Sequence, residues 1–207
     1  MSASAPRRHL SERQADTVAR LTDATVDELR AVGTEQLTVR NVARRAGVAP
    51  ATAYTYFASR EHLVTEVYWQ RLRGLPEAEF DATQPVADRV NSVVAAIGLL
   101  VADEPALAAA CTTALLAGDP EVRRLRDAIG QNTGGRLRSA LGNAFGDTAT
   151  PAVARALDAS LSGLMLQAGM GHIEYADISA RMGEIVALLL GGAEIFDFSE
   201  HSEGALR

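Results

Sequence analysis

Apolar residues recur along most of this chain at intervals of three and four. That is the spacing of one buried helix face, and no stretch alternates as a half-buried strand would. Ala15, Val18, Thr22, Val26 and Leu29 predict a first helix over 11–32, opened by a Ser11–Gln14 capping box and closed at Gly33. Thr38 is the expected N-cap of a short helix over 38–45, whose buried side is Val39, Val42, Ala43 and Ala46. A second short helix is expected over 49–57, and a third over 59–73 with Ser59 as its cap and Glu61 in its first turn.

Beyond a polar segment bounded by Pro76 and Pro85, the pattern resumes. Val90, Val93, Val94, Ile97 and Val101 predict a helix from Val86, and Pro105 begins another that runs to about residue 116. A long segment from Pro120 contains Gly130, Gly134, Gly135 and Gly142, and the glycines predict a kink or break near Gly134. Pro151 is expected to open a helix over 151–171, and the last helix is expected over about 175–191. The reading is all-α with about nine helices. It comprises a disordered arm over 1–10, a three-helix head with its linking helix over 11–73, and a helical body over 74–207.

Composition and charge narrow the class. Hydrophobic residues make up 47% and charged residues 22%, ordinary for a globular chain, while aromatics are only 5%, which favours helices packed through small side chains. A single cysteine, Cys111, excludes an intrachain disulfide or a cysteine-rich zinc site and fits a reducing cytoplasm. No apolar stretch follows Arg7, Arg8 and His9, and no run is long enough to span a bilayer, so neither a signal peptide nor a membrane contact is expected. Lysine is absent. Residues 1–73 hold eleven arginines against eight acids and residues 74–207 nine against eighteen, so a head of net charge +3 sits on a body of −9. Such a chain offers one end to a polyanion.

The chemistry is concentrated in residues 38–57, TVRNVARRAGVAPATAYTYF. Two helices of about eight residues meet at Ala46-Gly47-Val48, and a small residue, a glycine and a buried aliphatic are what a helix-turn-helix needs at its turn. The second helix is then placed to enter a major groove of double-stranded DNA. Pro50, Ala51 and Thr55 are its candidate base contacts, and Thr52, Tyr54 and Tyr56 its candidate sugar and phosphate contacts, with Phe57 and much of the Tyr54 ring expected in the core. No side chain there offers the bidentate fork that reads guanine, so specificity is expected from thymine methyls and DNA shape. Arg40, Arg44 and Arg60 are the candidate phosphate anchors, with Arg40 a candidate base contact as well. The same residues would serve an activator as well as a repressor. No nucleophile–base arrangement, acidic dyad, phosphate loop or metal cluster is visible, which leaves an enzyme, or an adaptor without DNA binding, as the weaker alternative; no cofactor is expected.

Gly33, Leu37-Thr38-Val39-Arg40, Val42-Ala43, Ala46-Gly47-Val48, Tyr54, Tyr56-Phe57, Ser59-Arg60 and Glu61 with Leu63 carry a wider likeness. Through them the first 73 residues resemble the DNA-binding domain of the tetracycline-repressor (TetR) family. The resemblance implies operator binding as a homodimer, usually as a ligand-released repressor, with Thr38, Pro50, Ala51, Tyr54, Thr55, Tyr56 and Arg60 at the family's DNA-contact positions. The chain departs from the family pattern at Ala49, where a serine cap is common, at Ala51, where glycine is common, and at Ala53, where a larger aliphatic is usual.

The body has no comparable motif. The resemblance implies that its last two long helices pair with their copies, and Ala156, Ala159, Ser160, Gly163 and Leu164, with Ile185 and Leu189, are the expected interface. Trp69, Asn91, Val94, Cys111, Leu115, Phe145, Met165 and Met170 are the expected lining of an effector pocket. Few charges interrupt the apolar faces, and residues 85–126 are similar to family members that control sterol or fatty-acid breakdown, so the expected effector is apolar and fatty-acyl or sterol-like.

Overall fold

Among the residues that the computed structural model describes, 12–81 and 83–192, all regular structure is helical. The expected arm over 1–10, Ser11 of the capping box, and the tail from Asp197 lie outside the described residues. The order is α1 (Glu12–Gln36), α2 (Val39–Arg45), α3 (Pro50–Tyr56), α4 (Arg60–Gly74), α5 (Val86–Ala102), α6 (Pro105–Ala114), α7 (Pro120–Leu141), α8 (Gly146–Gly169), a 3-10 turn (Tyr175–Asp177) and α9 (Ile178–Gly192).

The head forms where the periodic positions meet. Leu21 and Leu29 of α1, Val42 and Ala43 of α2, Ala53 of α3, Phe57 and Leu63 are all at most 2% exposed. Each large apolar side chain so buried contributes roughly 1.5–3 kcal/mol against the chain entropy lost on folding. Gly33, at φ 73°, takes the backbone out of helical geometry where a helix end is expected; a further turn carries α1 to Gln36. Thr38 caps α2 as expected, its hydroxyl accepting from Asn41 N at 3.1 Å. Ser59 caps α4 in the same way, accepting from His62 N at 3.0 Å.

Helix α4 runs from the head into the body, where it packs against α6 and α7, while α5 packs on α7 and α9, and α8 on α7 and α9. Two expectations about the body are corrected. Helix α7 is continuous from Pro120 to Leu141 and is not broken at Gly134. Its interior glycines cost up to about 1 kcal/mol each. Burial of Val122, Thr133, Leu137, Ala140 and Leu141 on one side holds it helical nonetheless.

Helix α8 begins at Gly146, five residues before Pro151, which sits inside it. Proline removes one N–H and so one ladder bond. In the turn ahead of it the Thr150 hydroxyl donates to Gly146 O at 2.8 Å.

Candidate nucleic-acid interface and internal cavity

The turn between α2 and α3 is built from outside as well as within. Gly47 has φ +64°, a left-handed conformation that glycine adopts without steric cost. Val48 N closes the turn on Ala43 O at 2.9 Å. From α1, the Arg20 guanidinium donates to Ala46 O and Gly47 O, and Arg45 Nε meets Glu28 at 2.6 Å. Sequence spacing could not find these braces, because Arg20 and Glu28 lie a full helix away from the turn they hold.

With Ala53 buried and Tyr56 half-buried, α3 turns Pro50, Ala51, Thr52, Tyr54 and Thr55 to the surface. Tyr54 is 53% exposed, so its ring is not part of the core as the sequence suggested; Phe57, at 2%, is. Thr55 Oγ1 donates to Thr52 O at 2.6 Å, which leaves its methyl group free for an apolar contact. Proline at the first position of α3 removes an N–H that would lack a helical partner, and so partly compensates for Ala49, which makes no side-chain cap.

The arginines divide. Arg40 and Arg44 are exposed on α2 beside this surface, with Arg44 steadied by Asn41 Oδ1 at 2.7 Å. Arg60, whose side chain is still 40% exposed, is engaged within its own subunit: its guanidinium donates to Glu35 O at 3.1 Å and Thr34 O at 3.3 Å, and its Nε meets Glu61 at 2.8 Å. It thereby closes the carbonyl end of α1, because the last turn of a helix leaves acceptors without internal partners.

In the body a cavity of about 410 Å³ lies among α4, α5, α6, α7, α8 and the 3-10 turn. Cys111, Leu115 and Met165 line it as expected, joined by Tyr68, Ile97, Val101, Ile129, Leu161 and Tyr175. Five expected lining residues are elsewhere. Val94 is fully packed in the core, Trp69 and Phe145 are half-buried against it, and Met170 is 52% exposed at the end of α8. Asn91 faces α9, with its amide 3.3 Å from where a Cβ on Gly183 would lie. Which way each of these residues faces depends on helix crossings that periodicity does not encode.

Two charged groups, Arg126 and Asp158, stand in a wall that is mostly apolar but also carries the hydroxyl groups of Thr112, Thr133, Ser162, Tyr68 and Tyr175. Arg126 Nη1 donates to Leu115 O at 2.6 Å, at the carbonyl end of α6. Burial pushes the Asp158 carboxyl up, favouring its neutral form, and pushes the Cys111 thiol up to about 12 with only partial opposition from Arg71. Cys111 is therefore a thiol rather than a thiolate near neutrality. Among the described residues there is no group of three His, Cys, Asp or Glu side chains able to hold a metal, and no single helix long and apolar enough to cross a membrane.

On α8, Ala156, Ala159 and Gly163 are exposed in line, continued by Leu166 at 37% exposure, and on α9 Leu188 is 75% exposed. Leu164 is corrected: at 9% exposure it belongs to the core of its own subunit. Ser160, Ile185 and Leu189 are half-buried, Ser160 bonding back to Ala156 O at 2.8 Å. Leu166 and Leu188 had not been expected at this surface.

The comparisons with known proteins agree with this geometry. The family model described as bacterial regulatory proteins, tetR family, matches residues 21–67, which run from α1 through α2 and α3 into α4. An uncharacterized HTH-type transcriptional regulator of Mycobacterium tuberculosis is 44% identical over 185 residues, covering 88% of this chain and 84% of that protein. The HTH-type transcriptional repressor KstR of Mycolicibacterium smegmatis is 27% identical over 188 residues, covering 89% and 92%. The crystal structure of a TetR transcriptional regulator from Rhodococcus sp. RHA1 superposes with a TM-score of 0.70 at 20% identity, covering 84% of this chain and 97% of the other, and so shares the fold. Exposed α3, its braced turn and the helical body thus agree with the sequence relatives: the chain belongs to the TetR family of DNA-binding transcriptional regulators.

Proposed function

We propose that this regulator is a repressor that binds a palindromic operator as a homodimer and is released when an apolar, lipid-like molecule of fatty-acyl or sterol-like character occupies the body. The observation that carries this reading is one helix serving two sites. Helix α4 follows directly on α3, and its Tyr68 forms part of the wall of the 410 Å³ cavity. A molecule in the cavity therefore touches the element that sets where α3 lies. It needs about 1.4 kcal/mol of difference in affinity between the two arrangements to change operator binding tenfold.

The apolar wall supports an effector that is mostly hydrocarbon, and Arg126 and Asp158 supply hydrogen-bonding points for one or two polar groups. The exposed small residues and leucines of α8 and α9 support a face that closes against its own copy, as a two-fold dimer presenting two α3 helices to successive major grooves requires. The repressor KstR of M. smegmatis, similar over most of this chain, supports repression here.

The test is selection of bound fragments from genomic DNA by the purified chain, followed by titration of the recovered operator. Saturable binding whose affinity falls steeply with salt is expected. Weak binding of equal strength to every fragment would sink the reading.

A further inference from the structure

Helix α7 grips α4 at both ends. At one end Asp119, the N-cap of α7, accepts from Glu121 N at 2.8 Å and from the Ser59 hydroxyl at 2.7 Å. Ser59 is itself the cap of α4, so a single carboxylate ties the first turns of two helices together. At the other end Arg136 donates to Pro76 O at 2.7 Å and Leu75 O at 2.8 Å, and reaches Leu72 O at 3.5 Å, closing the carbonyl end of α4.

Between the two grips, α7 turns Arg126, Ile129, Gly130 and Thr133 to the cavity. This middle stretch contains Gly130, Gly134 and Gly135. No atom outside the helix lies within 4 Å of where a Cβ on any of the three would stand, so packing does not require them to be glycine. They make the span between the grips the part of α7 that bends most easily. Ser59 stands two residues after Phe57, the C-cap of α3, so a shift at the first turn of α4 is carried into α3.

We propose that Asp119 and Arg136 are positioning residues for DNA recognition. Helix α7 acts as a strap: a molecule in the cavity displaces its glycine-bearing middle, and the two grips convert that displacement into movement of α4 and, with it, of α3. This rests on the effector-released reading above and adds the residues through which release is transmitted. The inter-helix link through Asp119 costs the strap nothing in helix stability, since the same carboxylate also caps α7.

The test needs a defined occupant in the full chain. Cys111 is the only thiol and lines the cavity; because it is buried and neutral in the fold, the chain is reacted with n-hexyl methanethiosulfonate in denaturant and then refolded, with completeness read by mass spectrometry and refolding by circular dichroism. Operator affinity is measured with and without the hexyl group, using the fragment recovered by selection. Hexylation is expected to weaken the parent at least tenfold, and Asp119→Ala and Arg136→Ala less than twofold. Asp119→Asn, whose Oδ1 can still accept from Glu121 N while its Nδ2 donates to Ser59 Oγ, is expected to restore the tenfold response.

If Asp119→Ala does not fold, Ser59→Asp decides instead, because it still caps α4 but sets one carboxylate against another at the link. Equal responses in parent and grip variants would overturn the strap and leave the regulator reading standing, as would a parent that binds operator but ignores hexylation. A parent that binds no operator overturns both.

Discussion

Gly169 of α8 stands so close to Thr112 of α6 that a Cβ added to the glycine would lie 1.8 Å from Thr112 Oγ1 and 2.8 Å from Thr112 Cβ. The crossing of the two helices, and with it one wall of the cavity that Thr112 lines, depends on the missing side chain. Gly169→Ala is expected to cost about 1–3 kcal/mol by overpacking. Thermal unfolding should show a midpoint several degrees lower, and adding Thr112→Ala should recover part of the loss. A fully stable Gly169→Ala protein would mean that the helices do not cross this closely.

The head makes a separate prediction at its first cap. Thr38 is exposed, and its hydroxyl's described bond is the one from Asn41 N. Thr38→Ala is expected to lower stability by about 1 kcal/mol while Thr38→Ser stays near the parent, measured by denaturant unfolding. The loss should be concentrated in faster amide exchange across α2.

Operator contacts separate from stability among the arginines. Arg44→Ala should weaken operator binding and reduce its salt slope by about 1 if the side chain meets a phosphate, with unfolding changed by less than about 0.5 kcal/mol. Arg60→Ala should do the reverse, lowering the unfolding midpoint because Thr34 O and Glu35 O lose their donor. Fluorescence anisotropy and thermal unfolding on the same samples would read both. If Arg60→Ala changed only DNA binding, the bracing role assigned to it would be wrong.

Leu188, 75% exposed on α9, tests the dimer face. Leu188→Glu would place a charge against its own copy or in an apolar contact. It is expected to shift the chain from dimer to monomer in analytical ultracentrifugation and to weaken operator binding more than tenfold, with the monomer still folded. A Leu188→Glu protein that remains dimeric would place the interface elsewhere.

His62 gives a pH dependence. Burial holds its imidazole neutral below the ordinary value of 6.5, against the pull of Glu121 and Asp119 and with some help from Arg124. Its Nδ1 accepts from Ala58 N at 3.3 Å, and its ring packs edge-on to Phe57. As pH falls through 6.5, the unfolded chain takes up a proton that the folded chain does not, so stability declines from there down to the lowered folded value. The unfolding midpoint should drop between pH 7.5 and pH 5.5, and by less in His62→Gln. Equal drops in the two would remove His62 as the cause.

The sequence by itself determined what depends on neighbours along the chain. Thr38 and Ser59 as caps, Gly33 and Gly47 as the places where the backbone turns, and the exposed side of α3 apart from the Tyr54 ring all follow from spacing, since each involves residues within about four positions of one another. The tertiary structure alone decided what depends on how distant helices cross. It put Cys111 and Met165 on one cavity while turning Asn91, Val94 and Met170 away, tied Arg60 to the end of α1, drew Leu164 inward, and joined Ser59 to Asp119 across sixty positions. An apolar periodicity tells a helix which face to bury. It does not say against which neighbour, or at what angle, because many crossings bury the same face equally well.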